Sequence, residues 1–327
     1  MNHTILAISE EEVAQLISPA EVIDTVEKVF VQAANGKLML GENSFLPSGL
    51  QPGNRFIAMP VSLPEQQVLG LKWISIYQDP APGLPFSHGN VIILNDGRTA
   101  SPLAVVAADQ ITTMRTAGGH SVVAARHLAN PNPKCLAFIG CGSQGKHGIR
   151  GFLEEFPSLE EVRVFAQPLE SCRAAEELFG DRVHVRICST ARQAVEGAPL
   201  VLVATSSKEV LVHADMIAPG ATVLGISAFQ DLDPALISRA DKWVLGLLEE
   251  DRNNILSNPA MSHGVPLSEE QVWAELPQII LGEKPGRERE DEIILFSHMG
   301  MGAFDVACAY TVLERARQTG LGTAIQL

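Results

Sequence analysis

The stretch Lys134–Arg150, KCLAFIGCGSQGKHGIR, decides how the rest of the chain is read. It opens as a short apolar strand, passes through Gly140, Gly142 and Gly145 at G-x-G-x-x-G spacing, and runs into a helix. Glycines at these places permit a tight turn, close approach of the backbone to a pyrophosphate, and close helix–strand packing. The helix N-terminus supplies free N–H groups and a positive dipole end for phosphates. The same turn without a ligand is the alternative reading, and the strands around it weigh against that. The runs CLAFIG, EVRVFAQ, VHVRI, PLVLVAT, ATVLGIS and KWVLGL are short, almost continuously apolar, and alternate with helical segments. This predicts a parallel sheet covered on both faces: an α/β, Rossmann-type doubly wound fold.

Upstream, Asn130-Pro-Asn-Pro133 reads as a linker and a domain boundary. Residues 8–36 read as helices, with a capping box at Ser9 and Glu12 and a second start at Ser18-Pro19. Between Leu38 and Leu94 the pattern changes to short strands, RFIAMPVSL, VLGLKWISIYQ and NVIILND, and Asn95-Asp96-Gly97 marks a hairpin turn. Residues 102–129 are expected to return to helix. Downstream, EKPGREREDE reads as solvated surface, and the helix that ends the chain has no place in the alternating pattern. It is expected to cross back onto the N-terminal part.

A chain of 327 residues is long enough for about two domains. A net charge of -14 argues against nucleic acid or an anionic membrane surface as a partner. No apolar run approaches the roughly 20 residues that span a bilayer, and the N-terminus lacks the pattern of a signal peptide. Five cysteines without C-x-x-C spacing suit a reducing, cytoplasmic compartment. No His/Cys/acid group has metal-ligand spacing, so no metal is expected.

The cofactor candidates lie at carboxyl ends of the strands. They are Gly140, Gly142, Ser143, Gln144 and Gly145 in the turn, then Ala166 and Gln167, Thr205 and Ser206, and Ser227. His298 and Gly300 belong to a further Gly-rich turn. An acid roughly 20 residues past the glycine turn would bind the ribose hydroxyls of NAD. The second strand instead ends Phe165-Ala166-Gln167-Pro168, which favours NADP and leaves NAD open. Arg173 and Arg192 are candidate phosphate partners or ordinary surface charges.

In the N-terminal part, Lys72 sits in the apolar run L-K-W-I-S, either solvated at an edge or pointing into a cleft. Arg115, with the planar fork that suits a carboxylate, follows Thr112-Thr113-Met114. His88 lies in a turn-rich loop, where a lone His is either structural or lines a mouth.

The series R-F-I-A-M-P (55–60), G-L-K-W-I-S (70–75), P-F-S-H-G-N-V-I-I-L (85–94), T-M-R-T-A (113–117), F-I-G-C-G-S-Q (138–144) and G-M-G-A-F-D-V-A (300–307) resembles the ornithine cyclodeaminase/mu-crystallin family. The resemblance runs from about residue 10 to the C-terminus. It implies a substrate-binding and dimerisation domain made from both chain ends, residues 1–130 and 297–327. A nucleotide-binding domain, 131–296, is inserted between them. It implies that Lys72 and Arg115 hold a substrate carboxylate, with Arg55 and Asn43 beside the substrate. Thr116 and Gln144 then lie near the cofactor, and Lys72 or His88 moves a proton.

Three departures matter. Asn43 stands where the family has an earlier carboxylate-binding Arg. Ile57 stands where cyclodeaminases carry a glutamate just ahead of Met59-Pro60. Their aspartate after the fifth strand is missing, and Asp231 reads as the start of the next helix. Without those acids, ring closure with loss of ammonia has no acid–base group. The expectation is an NAD(P)-dependent L-amino-acid dehydrogenase or imine reductase, a homodimer. Glu42 and Asp79 suggest a basic substrate such as L-arginine, L-lysine or L-ornithine. A cyclodeaminase or a crystallin-like binding protein is the alternative.

Overall fold

The computed structural model describes residues 4–77, 87–142, 144–226, 229–260 and 262–327. In chain order it begins β1 (Thr4–Ile8), α1 (Glu10–Leu16), α2 (Pro19–Ala34), β2 (Met39–Leu40), β3 (Ser44–Pro47), β4 (Arg55–Leu63), β5 (Val68–Ile76), β6 (Val91–Asp96), β7 (Pro102–Ala107) and α3 (Asp109–Arg115). A π-helical turn, Thr116–His120, leads to α4 (Ser121–Leu128), β8 (Cys135–Ile139), α5 (Gly145–Glu155), β9 (Glu161–Phe165), α6 (Arg173–Phe179), β10 (His184–Ile187), α7 (Ala191–Val195) and β11 (Leu200–Val203). Then come β12 (Thr222–Gly225), α8 (Ala235–Arg239), β13 (Lys242–Leu245), α9 (Leu248–Asp251), β14 (Ala274–Glu275), α10 (Leu276–Ile280), β15 (Ile294–Ser297), α11 (Gly302–Thr319) and β16 (Thr323–Gln326). The chain forms two compact units, Met1–Arg115 with Met301–Leu327, and Thr116–Gly300.

In the first unit the sheet runs β16-β1-β7-β6-β5-β4-β2, with β3 also paired to β4. The predicted capping box at Ser9/Glu12 forms, and the predicted helix start at Ser18 carries one as well, with Glu21, because each serine satisfies a helix N–H that would otherwise be orphaned. Residues 102–107, expected to be helical, are strand β7, hydrogen-bonded to β6 and β1. Their alternating burial, Ala104 and Val106 inside, is the period of a half-buried strand rather than of a helix. The two chain ends meet directly, Thr4 opposite Gln326 and Ala7 opposite Thr323. The last helix packs on this sheet and on α2, where Phe30 and Phe304 meet edge to face at 4.9 Å. Small residues make that approach possible: a Cβ on Gly70 would lie 2.3 Å from Val306 Cγ1, and one on Gly302 2.9 Å from Met59 Cβ.

In the second unit an all-parallel sheet runs β10-β9-β8-β11-β12-β15-β13-β14. Strands β8, β11, β12, β13 and β15 are buried along their whole length, which is why the sequence shows continuous apolar runs there. The predicted strands are present, and the order 3-2-1-4-5 of their first five is the doubly wound one. The departure is β15, which inserts between β12 and β13. Asn130 lies within this unit and donates to the Gly220 and Glu290 carbonyls.

Candidate active site

In the first unit the site is built on β5. Lys72 stands opposite Met59 and Ile92, on the sheet face that α11 covers, and it is wholly buried. A lysine in that position needs an anion, and α11 provides one. Asp305 Oδ1 lies 2.8 Å from Lys72 Nζ, and its Oδ2 lies 2.9 Å from Arg115 Nε. The Thr112 hydroxyl donates to Oδ1 at 2.9 Å. Asp305 is itself completely buried, in the first turn of α11, where the helix dipole favours negative charge. Arg115 ends α3 and is 5% exposed, and its buried Nη1 makes no hydrogen bond among the described residues.

Two cations therefore share one carboxylate in a dry place. Burial depresses the Lys72 ammonium to about 8, the Arg115 charge works in the same direction, and Asp305 opposes both. One acid short of neutrality, with a guanidinium donor unpartnered, the cluster suits a bound carboxylate. Asp305 is the member of this cluster that the sequence reading did not single out. Its signal was a lone acid inside the otherwise apolar G-A-F-D-V-A-C-A.

The other expected substrate-side residues are spread around this unit. The loop bearing His88 is pinned by the Ser75 hydroxyl, which donates to the His88 carbonyl and accepts from the His88 N–H, and by Asp109 accepting from Gly89 and Asn90. The His88 ring lies 5.9 Å from Tyr77. Arg55, at the start of β4, donates to the Gly53 carbonyl at 3.3 Å. Asn43 is half-buried just before β3, and Glu42 is exposed. Asp79 lies outside the described residues. Ile57 shares the Lys72 face of the sheet, so the acid absent there is absent from the relevant side.

In the second unit the glycine turn joins β8 to α5. Gly140 has φ +106°, and a Cβ there would sit 2.2 Å from the Ala204 carbonyl oxygen, so the turn can hold only glycine. A Cβ on Gly142 would meet nothing within 4 Å, which leaves its backbone open to a ligand. Gly145 starts the 11-residue helix α5. Gln144 Oε1 accepts from the Ala117 N–H at 3.3 Å, tying the turn to the π-helical segment that begins at Thr116. Gly118 and Gly151 let α5 press against that segment, where any Cβ would strike backbone at 2.6–2.7 Å. Ser143 and Ser227 lie outside the described residues.

At the end of β9, Ala166 is buried and Gln167 exposed. After β11, the Thr205 hydroxyl donates to Asp231 Oδ2 at 2.7 Å, and Ser206 is exposed. Asp231 does not begin the next helix, as the sequence suggested. It is 1% exposed and faces Thr205, while Asp233 accepts from the Ala235 N–H at the start of α8. A helix start takes the acid whose side chain reaches a free N–H, and that is Asp233. His298 is wholly buried, its Nδ1 2.9 Å from Asp251 and its ring packed on His120 and Gly246. Gly300, at φ +86°, precedes the helix cap Met301.

Known proteins resemble this chain over nearly its whole length. The N-((2S)-2-amino-2-carboxyethyl)-L-glutamate dehydrogenase of Staphylococcus aureus is 35% identical over 84% of this chain and 82% of its own. The structure of Thermococcus litoralis Δ1-pyrroline-2-carboxylate reductase with NADH and L-proline matches at a TM-score of 0.88 and 28% identity, covering 98% of this chain and 100% of that one. An archaeal alanine dehydrogenase dimer with bound NAD matches at 0.87 and 28%, covering 98% and 99%. Such relatives are dehydrogenases and reductases of amino and imino acids. The sequence profile of one family spans residues 2–320, and the chain belongs to it: the ornithine cyclodeaminase/mu-crystallin family.

Proposed function

We propose that the chain is an NAD(P)-dependent L-amino-acid dehydrogenase or imine reductase. The observation that carries this is the buried Lys72–Asp305–Arg115 cluster with its unpartnered guanidinium nitrogen, in a chain that also carries an open glycine turn on a parallel sheet. Gly140, Gly142 and the N-terminus of α5 fit a dinucleotide pyrophosphate. The nicotinamide supplies hydride chemistry: one hydride leaves Cα, one proton leaves nitrogen, and an imino acid forms.

The protein's own part is to hold and orient. Arg115 and Lys72 grip the carboxylate and fix Cα. An ammonium brought down to about 8 exchanges a proton close to neutral pH, which suits Lys72 to move the proton on nitrogen. His88 is the second candidate for that task.

The solved neighbours hold NAD or NADH, while the acid-free end of β9 admits NADP, so both cofactors belong in the assay. A homodimer is part of this reading, supported by the dimeric archaeal relative. Its surface would be the sheet face opposite Lys72, where Phe56 and Trp73 stack at 5.0 Å and Leu69 and Met39 are exposed. Glu42 is exposed and Asp79 lies outside the described residues, so the proposed substrate is an L-amino or imino acid and the basic side chain is left to the assay.

The test is a screen of L-amino acids with NAD and with NADP, reading formation of reduced nicotinamide, and of cyclic imines with the reduced cofactors. Net redox turnover is expected. Release of ammonia with no net reduced cofactor would make the chain a cyclodeaminase instead.

A further inference from the structure

The buried cluster of the first unit is asymmetric in charge, and one residue controls the asymmetry. Asp305 is fully buried and touches both cations of the cluster, through different oxygens. We propose that Asp305 is a positioning residue: it holds Lys72 in the ammonium form and occupies the Nε edge of Arg115, so that the two cations receive a substrate carboxylate as their missing second anion. This rests on the function proposed above and assigns a role to a residue that does not itself touch substrate.

The groups facing Lys72 can be named element by element. From α11 comes Asp305, with Cys308 beside Asp305 and Arg115; from α3 come Arg115 and, at its first residue, Asp109. Burial pushes the Cys308 thiol far up, so it stays neutral. The Asp109 carboxylate is engaged by Gly89 and Asn90. The strand neighbours Met59 and Ile92 carry no charge. Among the described residues Asp305 is therefore the one carboxylate paired with Lys72, and Thr112 fixes its rotamer by donating to the same oxygen.

With Asp305 ionised, the cluster has one net positive charge and a bound carboxylate makes it neutral. Without it, two cations lie side by side in low dielectric, and Lys72 sheds its proton at lower pH. An opposite charge at this range raises an ammonium by about 1–3 pH units.

Asp305→Asn tests this by two readouts. The first is the binding of pyrrole-2-carboxylate, an unreactive flat carboxylate, to the NADH-loaded protein by calorimetry across pH. The second is the pH profile of kcat/KM on the best substrate from the screen. Wild type should bind the anion up to about pH 8, where Lys72 titrates. In Asp305→Asn that limb should move down by about one unit or more. Below it the variant should bind at least as tightly as wild type, and above it at least about tenfold more weakly. Asp305→Glu should restore the limb, and Thr112→Val should shift it slightly, which keeps the test open if the Asn variant does not fold. An equal loss at every pH, or an unmoved limb in all three variants, overturns the proposal. A wild-type protein that binds no carboxylate and turns over no amino or imino acid would overturn the proposed function as well.

Discussion

Two buried lysines, each followed by Trp in a strand, have opposite surroundings. Lys72 begins Lys-Trp73 in β5, and Lys242 begins Lys-Trp243 in β13. Lys242 is saturated: its ammonium meets Glu288 at 2.7 Å, Glu292 at 3.3 Å and the Gly286 carbonyl, with the Trp273 ring 5.2 Å away. Around it Arg289 bridges Asp241 and Asp291, and Arg287 ties together Leu128, Thr222 and Glu292. That cluster joins a surface loop to strand ends and is complete. Among the described residues Lys72 shares a single carboxylate with a second cation, and a guanidinium nitrogen beside it makes no hydrogen bond. A complete network stabilises a fold. An incomplete one, held together by the rest of the fold, is where a ligand fits.

The largest test of this contrast is to remove each lysine. Lys72→Ala should lower kcat by about a thousandfold, as loss of an orienting and proton-moving group does. Binding of the reduced cofactor, followed by its fluorescence, should persist. If turnover survives, the contrast is wrong.

Lys242→Met should do the reverse. It strands the 2%-exposed Glu292 side chain without its ammonium partner, at a cost of about 3 kcal/mol in urea unfolding, while kcat per folded molecule holds.

A third test uses pH. The folded-state pKa of Lys72, about 8, lies below the ordinary lysine value of 10.5, so the unfolded chain binds more protons between those values. Lys72 therefore contributes stability that rises with pH across that window, by at most about 1.4 kcal/mol per pH unit. The rise should vanish in Lys72→Met, while imine reduction by wild type, which takes its proton from the Lys72 ammonium, falls over the same range.

The smallest effect sharpens the comparison from the other unit. Gly142→Ala meets no atom within 4 Å, so thermal stability should hold, yet cofactor affinity should fall about tenfold if backbone there lies against phosphate. Gly140→Ala, driven into the Ala204 carbonyl, should damage folding itself and so cannot isolate binding.

Much of this was legible in the sequence because it is local. The capping box at Ser9, the helix start at Ser18-Pro19, the glycine turn and the continuous apolar runs each record a short-range requirement of helix ends, tight turns or buried parallel strands. Lys72 and Arg115 could be picked out as residue types suited to a carboxylate. Residues 102–107 were misread because Leu-Ala-Val-Val-Ala is apolar enough for either period, and pairing with β6 and β1 decided for strand. Asp231 was misread because D-L-D-P offers two acids, and only their reach to a free N–H separates them.

By itself the sequence determined a parallel nucleotide-binding sheet, its glycine turn and a short set of candidate residues. Tertiary structure alone decided which buried lysine is satisfied and which is left short. The partners that settle the matter, Glu288 and Glu292 for Lys242 and Asp305 for Lys72, are distant in the chain and arrive only when strands and helices pack. In a dry interior, one carboxylate more or fewer separates a structural network from a place that awaits a ligand.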